Sequence, residues 1–111
     1  MSNPTMGTLK LADGLSVNSC NPSFIWSDDS RYLAVPHWRF AMGLQLKQRL
    51  LVVDVQERIV FGSRPLGWWI LPLAFERGVL TVISNPARAL REHRFQIPSD
   101  LNTFRNLRSG W

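Results

Sequence analysis

The sequence predicts a mainly β protein built from antiparallel hairpins, with a short C-terminal helix. Three observations carry that expectation. Apolar side chains recur at alternate positions in short runs, turn-forming residues separate those runs, and the runs themselves are rich in aromatic and aliphatic residues. At 111 residues the chain fits a single domain, 1–111, able to bury about 60–65% of the surface its unfolded form exposes. A hydrophobic share of 45% and a charged share of 19% fit a globular chain and exclude a disordered or collagen-like one.

Residues 1–21 mix Gly, Ser, Asn and Pro around one apolar run at 9–12, and read as a partly mobile segment holding one edge strand. After Pro22, residues 23–26 alternate polar with large apolar side chains. Ser27-Asp28-Asp29-Ser30 supplies turn chemistry, and 31–35 completes a hairpin that Pro36 is expected to end, since proline cannot donate to a ladder. Through 37–48 the spacing of Trp38, Phe40, Met42, Leu44 and Leu46 favours an extended chain over a helical turn. Residues 49–55 and 58–61 flank Gln56-Glu57 as a second hairpin, and 62–67, with two glycines and Pro65, marks the expected internal boundary.

A third hairpin spans 68–84 with its turn around Glu76-Arg77-Gly78, and 93–97 alternates as a strand with one buried face. Residues 85–92 have a helical alternative, because Asn85 can cap and Pro86 suits the first helical position. Segments 22–62 and 68–97 thus read as two similar halves. The C-terminal helix is expected over 99–109. Ser99 or Asp100 can cap it, Leu101, Phe104 and Leu107 recur every three residues, and Gly110 can stop it.

The run from Phe24 through Trp26, Ser27, Asp28, Asp29, Ser30 and Arg31 to Ala34, followed by Arg49 to Val55, resembles a blade of the WD-repeat and related β-propeller families. Ser30 stands where those blades usually carry Gly, and Val53 where they carry Trp or Tyr. The resemblance covers 23–61, with a fainter echo over 68–97. A propeller takes at least four blades of about 40–45 residues, so the chain is either a fragment of such a scaffold or a compact domain of two blade-like half-sheets. The second is the expectation. The resemblance implies a protein-binding scaffold and brings no catalytic residues.

The inventory for chemistry is thin. Cys20, His37 and His93 are the soft ligands, without metal-binding spacing, so no metal site is expected. A single cysteine forms no intramolecular disulfide, and it could act as a nucleophile only if the fold brought a histidine to it. Turn formation accounts for Asp28-Asp29, and the glycine-rich phosphate-binding patterns do not occur. No cofactor and no catalytic residues are expected, and the chain does not read as an enzyme. Its longest apolar stretch, 68–75, is far below the ~20 residues of a spanning helix. With no secretory pattern in 1–14, a cytoplasmic location is the default expectation.

Charge gives the strongest functional signal. The formal charge is +5, and eleven of the thirteen bases are arginine, whose planar fork suits carboxylate or phosphate better than an ammonium does. Arg88, Arg91, Arg94, Arg105 and Arg108 cluster late in the chain near Trp111, while Trp38-Arg39 and Trp69 offer aromatic anchors. These nine are the candidate partner-binding residues. The expected function is a non-enzymatic protein-binding module for an acidic protein partner, such as a small neutralising protein of the immunity type. A single-stranded nucleic-acid binder is the alternative, because phosphate contacts by these arginines could combine with stacking on the interleaved Phe95, Phe104 and Trp111. Oligomeric state is left open.

Overall fold

The computed structural model describes residues 7–41, 45–85 and 89–111, and β-strands dominate them. In chain order these are β1 (Gly7–Lys10), β2 (Ser16–Cys20), β3 (Ile25–Trp26), β4 (Tyr32–Ala41), β5 (Gln45–Asp54), β6 (Ile59–Gly67), β7 (Ile70–Glu76), β8 (Val79–Ser84), β9 (Arg91–Gln96) and β10 (Arg105–Ser109). All pairings are antiparallel. The larger sheet runs β1-β2-β4-β5-β6-β10, with β3 also on β4, and the smaller runs β7-β8-β9. The mainly β fold follows from the alternation in the sequence.

Strand β5 explains how both faces of the larger sheet come to be buried. Successive side chains of a strand point to opposite faces. Leu50 and Val52 enter a core shared with Ile70, Phe75, Leu80 and Val82 of the smaller sheet, joined by Tyr32, Ala34, Leu66, Ile97 and Leu101. Leu51 and Val53 enter a second core on the outer face, with Leu33, Val35 and Val60. The β1–β2 hairpin covers that outer core through Leu9, Val17 and Cys20, assisted by Leu15 between those strands, and Leu107 and Trp111 close it from the other side. The sequence reading placed one strand within 1–21, and there are two.

The turns are specified locally. Ser27 Oγ donates to Asp29 and accepts from the Tyr32 N–H, while Asp29 Oδ1 accepts from the Arg31 N–H, so the tetrad expected to turn is held by its own side chains. Ser30 sits there at a φ of +60°. For an L-residue this left-handed conformation costs about 1–2 kcal/mol, and glycine's extra backbone entropy costs about 0.5–1. Ser30→Gly should therefore stabilise the protein by about 0.5 kcal/mol, read as a higher urea midpoint at unchanged slope. A lower midpoint would reject this account of the turn. Between β7 and β8, Arg77 and Gly78 both have positive φ in a two-residue connection, the mirror-image turn that matches strand twist. The Arg77 N–H also donates to Asp28 Oδ2 at 3.1 Å, tying the turn of the first sheet to that of the second.

Three expectations need correction. The helix over 99–109 is one 3-10 turn, Ser99–Thr103, followed by β10. Leu101 enters the core between the sheets and Leu107 the outer core, so the three-residue spacing serves two different cores rather than one helix face. An isolated helix of that length is marginal, and the open edge of β6 offers a ladder instead, with a register shift between Asn106 and Arg108. Pro36 does not end its strand, because its backbone edge faces away from β5. The Pro36 carbonyl accepts from the Asn21 N–H, and N and O of one residue point to the same side of an antiparallel strand. Its missing donor therefore falls in the gap between β2 and β3, leaving the β4–β5 ladder intact. Residues 62–67 continue β6 through register shifts instead of breaking it, and the passage to the second sheet comes at Trp68-Trp69. Residues 37–41 and 45–48 are extended, as read, whereas Met42, Leu44 and Pro86 lie outside the described residues.

Candidate anion-binding groove

The register of β4 against β5 orders the outer face of the larger sheet by chemistry. Leu33 pairs with Val53, Val35 with Leu51, His37 with Arg49, and Arg39 with Lys47. Along these rows the face passes from apolar to cationic. A groove of about 330 Å³ opens where the change occurs, lined by Ser16, Val17, Asn18, His37, Trp38, Arg49, Leu51, Val60, Leu107 and Arg108 among others. No carboxylate is among its described lining residues.

Arg49 lines this groove. Its Nε donates to His37 Nδ1 at 3.2 Å. Its guanidinium lies over Gly62, where an added Cβ would stand 3.3 Å from Nη1 and 2.7 Å from Leu107 Cδ1. Glycine here leaves the space into which both side chains close. Burial pulls the Arg49 pKa down, and the Arg39 and Arg105 cations pull it further. Guanidinium nevertheless stays charged. Among the described residues the ion pairs are Arg31–Asp54 and Arg94–Glu92, and neither includes Arg49. A half-buried cation with no counter-charge among the described residues is an arrangement that an incoming anion relieves.

His37 is held neutral beside it. Burial lowers its pKa most, Arg49 and then Arg39 add to this, and a hydrogen bond to the Asn18 backbone opposes them. With Nδ1 accepting from Arg49, the ring proton belongs on Nε2. Arg108 reaches across the groove and donates through Nη1 to the Ser16 carbonyl at 3.1 Å.

Cys20, Ser84 and His93 are each engaged in local contacts. Cys20 pairs in register with His37, yet its thiol is buried, with its pKa raised chiefly by that burial, and it faces the Val17 and Asn18 carbonyls. That is the environment of an inert thiol. Ser84 Oγ and His93 Nε2 lie 2.8 Å apart, but Ser84 is fully buried and does not line the adjoining cavity, so the pair bridges β8 and β9. Burial, then Arg64 and Arg91, lower the His93 pKa. No group of three or more metal-ligating side chains occurs among the described residues.

The nine candidate residues separate in space. Trp38 and Arg108 line the groove, and Arg39 and Arg105 act on Arg49 from its surroundings. Arg91 and Arg94 lie on β9 of the smaller sheet, where Arg94 pairs with Glu92, both side chains being exposed. Trp69 is half-buried, and the exposed indole of that pair belongs to Trp68. Trp111 packs on the outer core while its carbonyl accepts from Arg58 Nη1. Arg88 lies outside the described residues. The sequence reading did not assign His37, Lys47 and Arg49 to this surface. The signal was their alternation, since each stands two residues from a neighbour on the same face. Compared with known proteins, the chain matches no family model, no curated protein and no solved structure. No described helix is long and apolar enough to cross a membrane.

Proposed function

We propose that the chain is a non-enzymatic binding module that engages an acidic segment of a partner protein through the groove around Arg49. The observation that supports this most is the half-buried Arg49, hydrogen-bonded to a neutral histidine, flanked by Arg39, Arg105 and Arg108 and without a carboxylate partner among the described residues. A carboxylate placed there accepts two parallel hydrogen bonds from the guanidinium fork. Val17, Leu51, Val60 and Leu107 give the same groove an apolar floor, which suits a peptide carrying both acidic and aliphatic side chains. Single-stranded nucleic acid fits less well, because the exposed aromatics Phe24, Trp26 and Trp68 do not line the groove, whose described aromatic lining is Trp38 and the His37 ring.

The test is fluorescence anisotropy with a labelled poly-aspartate peptide and an oligothymidylate of equal charge. The peptide should bind, and should weaken as salt rises from about 0.1 M to about 1 M and the screening length shrinks from about 10 Å to about 3 Å. Arg49→Gln combined with Arg39→Glu should reduce affinity at least about tenfold, the loss of about 1.4 kcal/mol of charge-assisted contact. Stronger binding of the oligonucleotide would favour the nucleic-acid reading, and binding that ignores both salt and these substitutions would remove the groove from consideration.

A further inference from the structure

The contact that restrains Arg49 in the free protein is also the one an incoming carboxylate must replace. We infer that the groove is a proton-coupled latch, in which binding of an acidic segment frees the His37 imidazole from Arg49 and leads it to take up a proton. The inference rests on the reading of the groove as an anion site and adds its regulation.

The geometry is specific. His37 and Arg49 are directly opposed across β4 and β5, and the Nε to Nδ1 hydrogen bond of 3.2 Å occupies the one imidazole nitrogen able to accept a proton. A carboxylate that engages the side of the guanidinium takes the same Nε–H together with an Nη–H. Nδ1 then loses its donor and stands beside a negative charge. The anion also offsets the Arg49 and Arg39 fields that disfavour a positive ring. On binding, Nδ1 takes up a proton from solvent and holds it in a hydrogen bond to the carboxylate, while Nε2 keeps its own proton.

Burial and the cations around His37 disfavour its charged form, and the Asn18 backbone alone favours it. From β5 there is Arg49, from β4 Arg39, and from β10 Arg108 lines the same groove. From β2 there are the Asn18 backbone and Cys20, whose raised pKa keeps the thiol neutral wherever the imidazole titrates. No described carboxylate lines the groove to hold the imidazolium in the free state. The sign follows from linkage. The proton affinity of His37 is lower free than bound, so the bound state carries more protons between the two pKa values. Affinity for an anion therefore rises as pH falls through that window, and is level above and below it.

Poly-aspartate is a suitable probe because its carboxylates stay ionised down to about pH 5. For the full chain, a rise of about one unit in the His37 pKa on binding makes the dissociation constant smaller at low pH than at high pH, by at most about tenfold between the two level regions. His37→Gln should abolish that pH dependence, and His93→Gln should keep it. An NMR titration of the His37 ring, free and saturated with the peptide, reads the same pKa rise without a substitution. Salt-sensitive binding that depends on Arg49 but not on pH, or a His37 pKa unchanged by saturation, would overturn the latch alone. Failure of the peptide to bind at either pH would overturn the latch together with the anion-site reading.

Discussion

Truncating either Leu50 or Leu51 to alanine should cost about 3 kcal/mol, although the two are sequence neighbours and point in opposite directions. Both side chains are essentially inaccessible, at 0% and 1% exposure. Leu50 packs between the sheets, and Leu51 packs beneath the β1–β2 hairpin, Leu107 and Trp111. A leucine removed from a close-packed site loses its transfer energy and leaves a cavity that relaxes only in part, which costs about 2–5 kcal/mol. Total stabilities are about 5–15 kcal/mol, so either change should displace the urea midpoint strongly. A sheet with one wet face would show the effect at only one of the pair. A loss below about 1 kcal/mol at Leu51 would mean that the outer core is not closed as described.

Asp54→Ala should destabilise by about 2 kcal/mol, chiefly through the turn that follows β5. Asp54 Oδ1 accepts from the N–H groups of Gln56 and Glu57, both at 3.1 Å, in a side chain that is almost fully buried. Hydrogen bonds to a charged group contribute about 1.5–3 kcal/mol each, less where water can replace them as it can at this turn. The same carboxylate receives Nε and Nη2 of Arg31 at 3.2 and 3.0 Å, a pair discounted because the Arg31 side chain is a third exposed. Asp54→Asn separates the contributions, since an amide oxygen still accepts from both turn N–H groups while the charge is gone. It should lose less than half as much as alanine. Equal losses in the two variants, measured by urea unfolding, would assign the effect to the ion pair instead.

Local chemistry was legible in the sequence wherever neighbours along the chain decide it. The Ser27–Ser30 turn, the Arg77-Gly78 hairpin and the extended course through Trp38 each follow from residues within a few positions of one another. Pairing across distance was not legible. The segment ending in Leu107 carries helix-like spacing, and it becomes a strand because β6 presents an unpaired edge, information held some forty residues away. The groove was half visible for the same reason. Arg105 and Arg108 drew attention through their local density of charge, whereas Arg49 sits in an aliphatic run and acquires its character only when β4 sets His37 opposite it and β10 brings Arg105 close.

The position of β10 also sets the order in which the protein can assemble. It lies beside β6, so the whole of β7, β8 and β9 is inserted between two strands that are neighbours in space. Closing so long an excursion costs chain entropy before the final ladder returns any stabilisation, which favours slow folding. Leu107 and Trp111 cap the outer core, and Arg108 bonds back to Ser16 near the start of the described chain. The β1–β2 hairpin and the face it covers are therefore fully sealed only once β10 is in place.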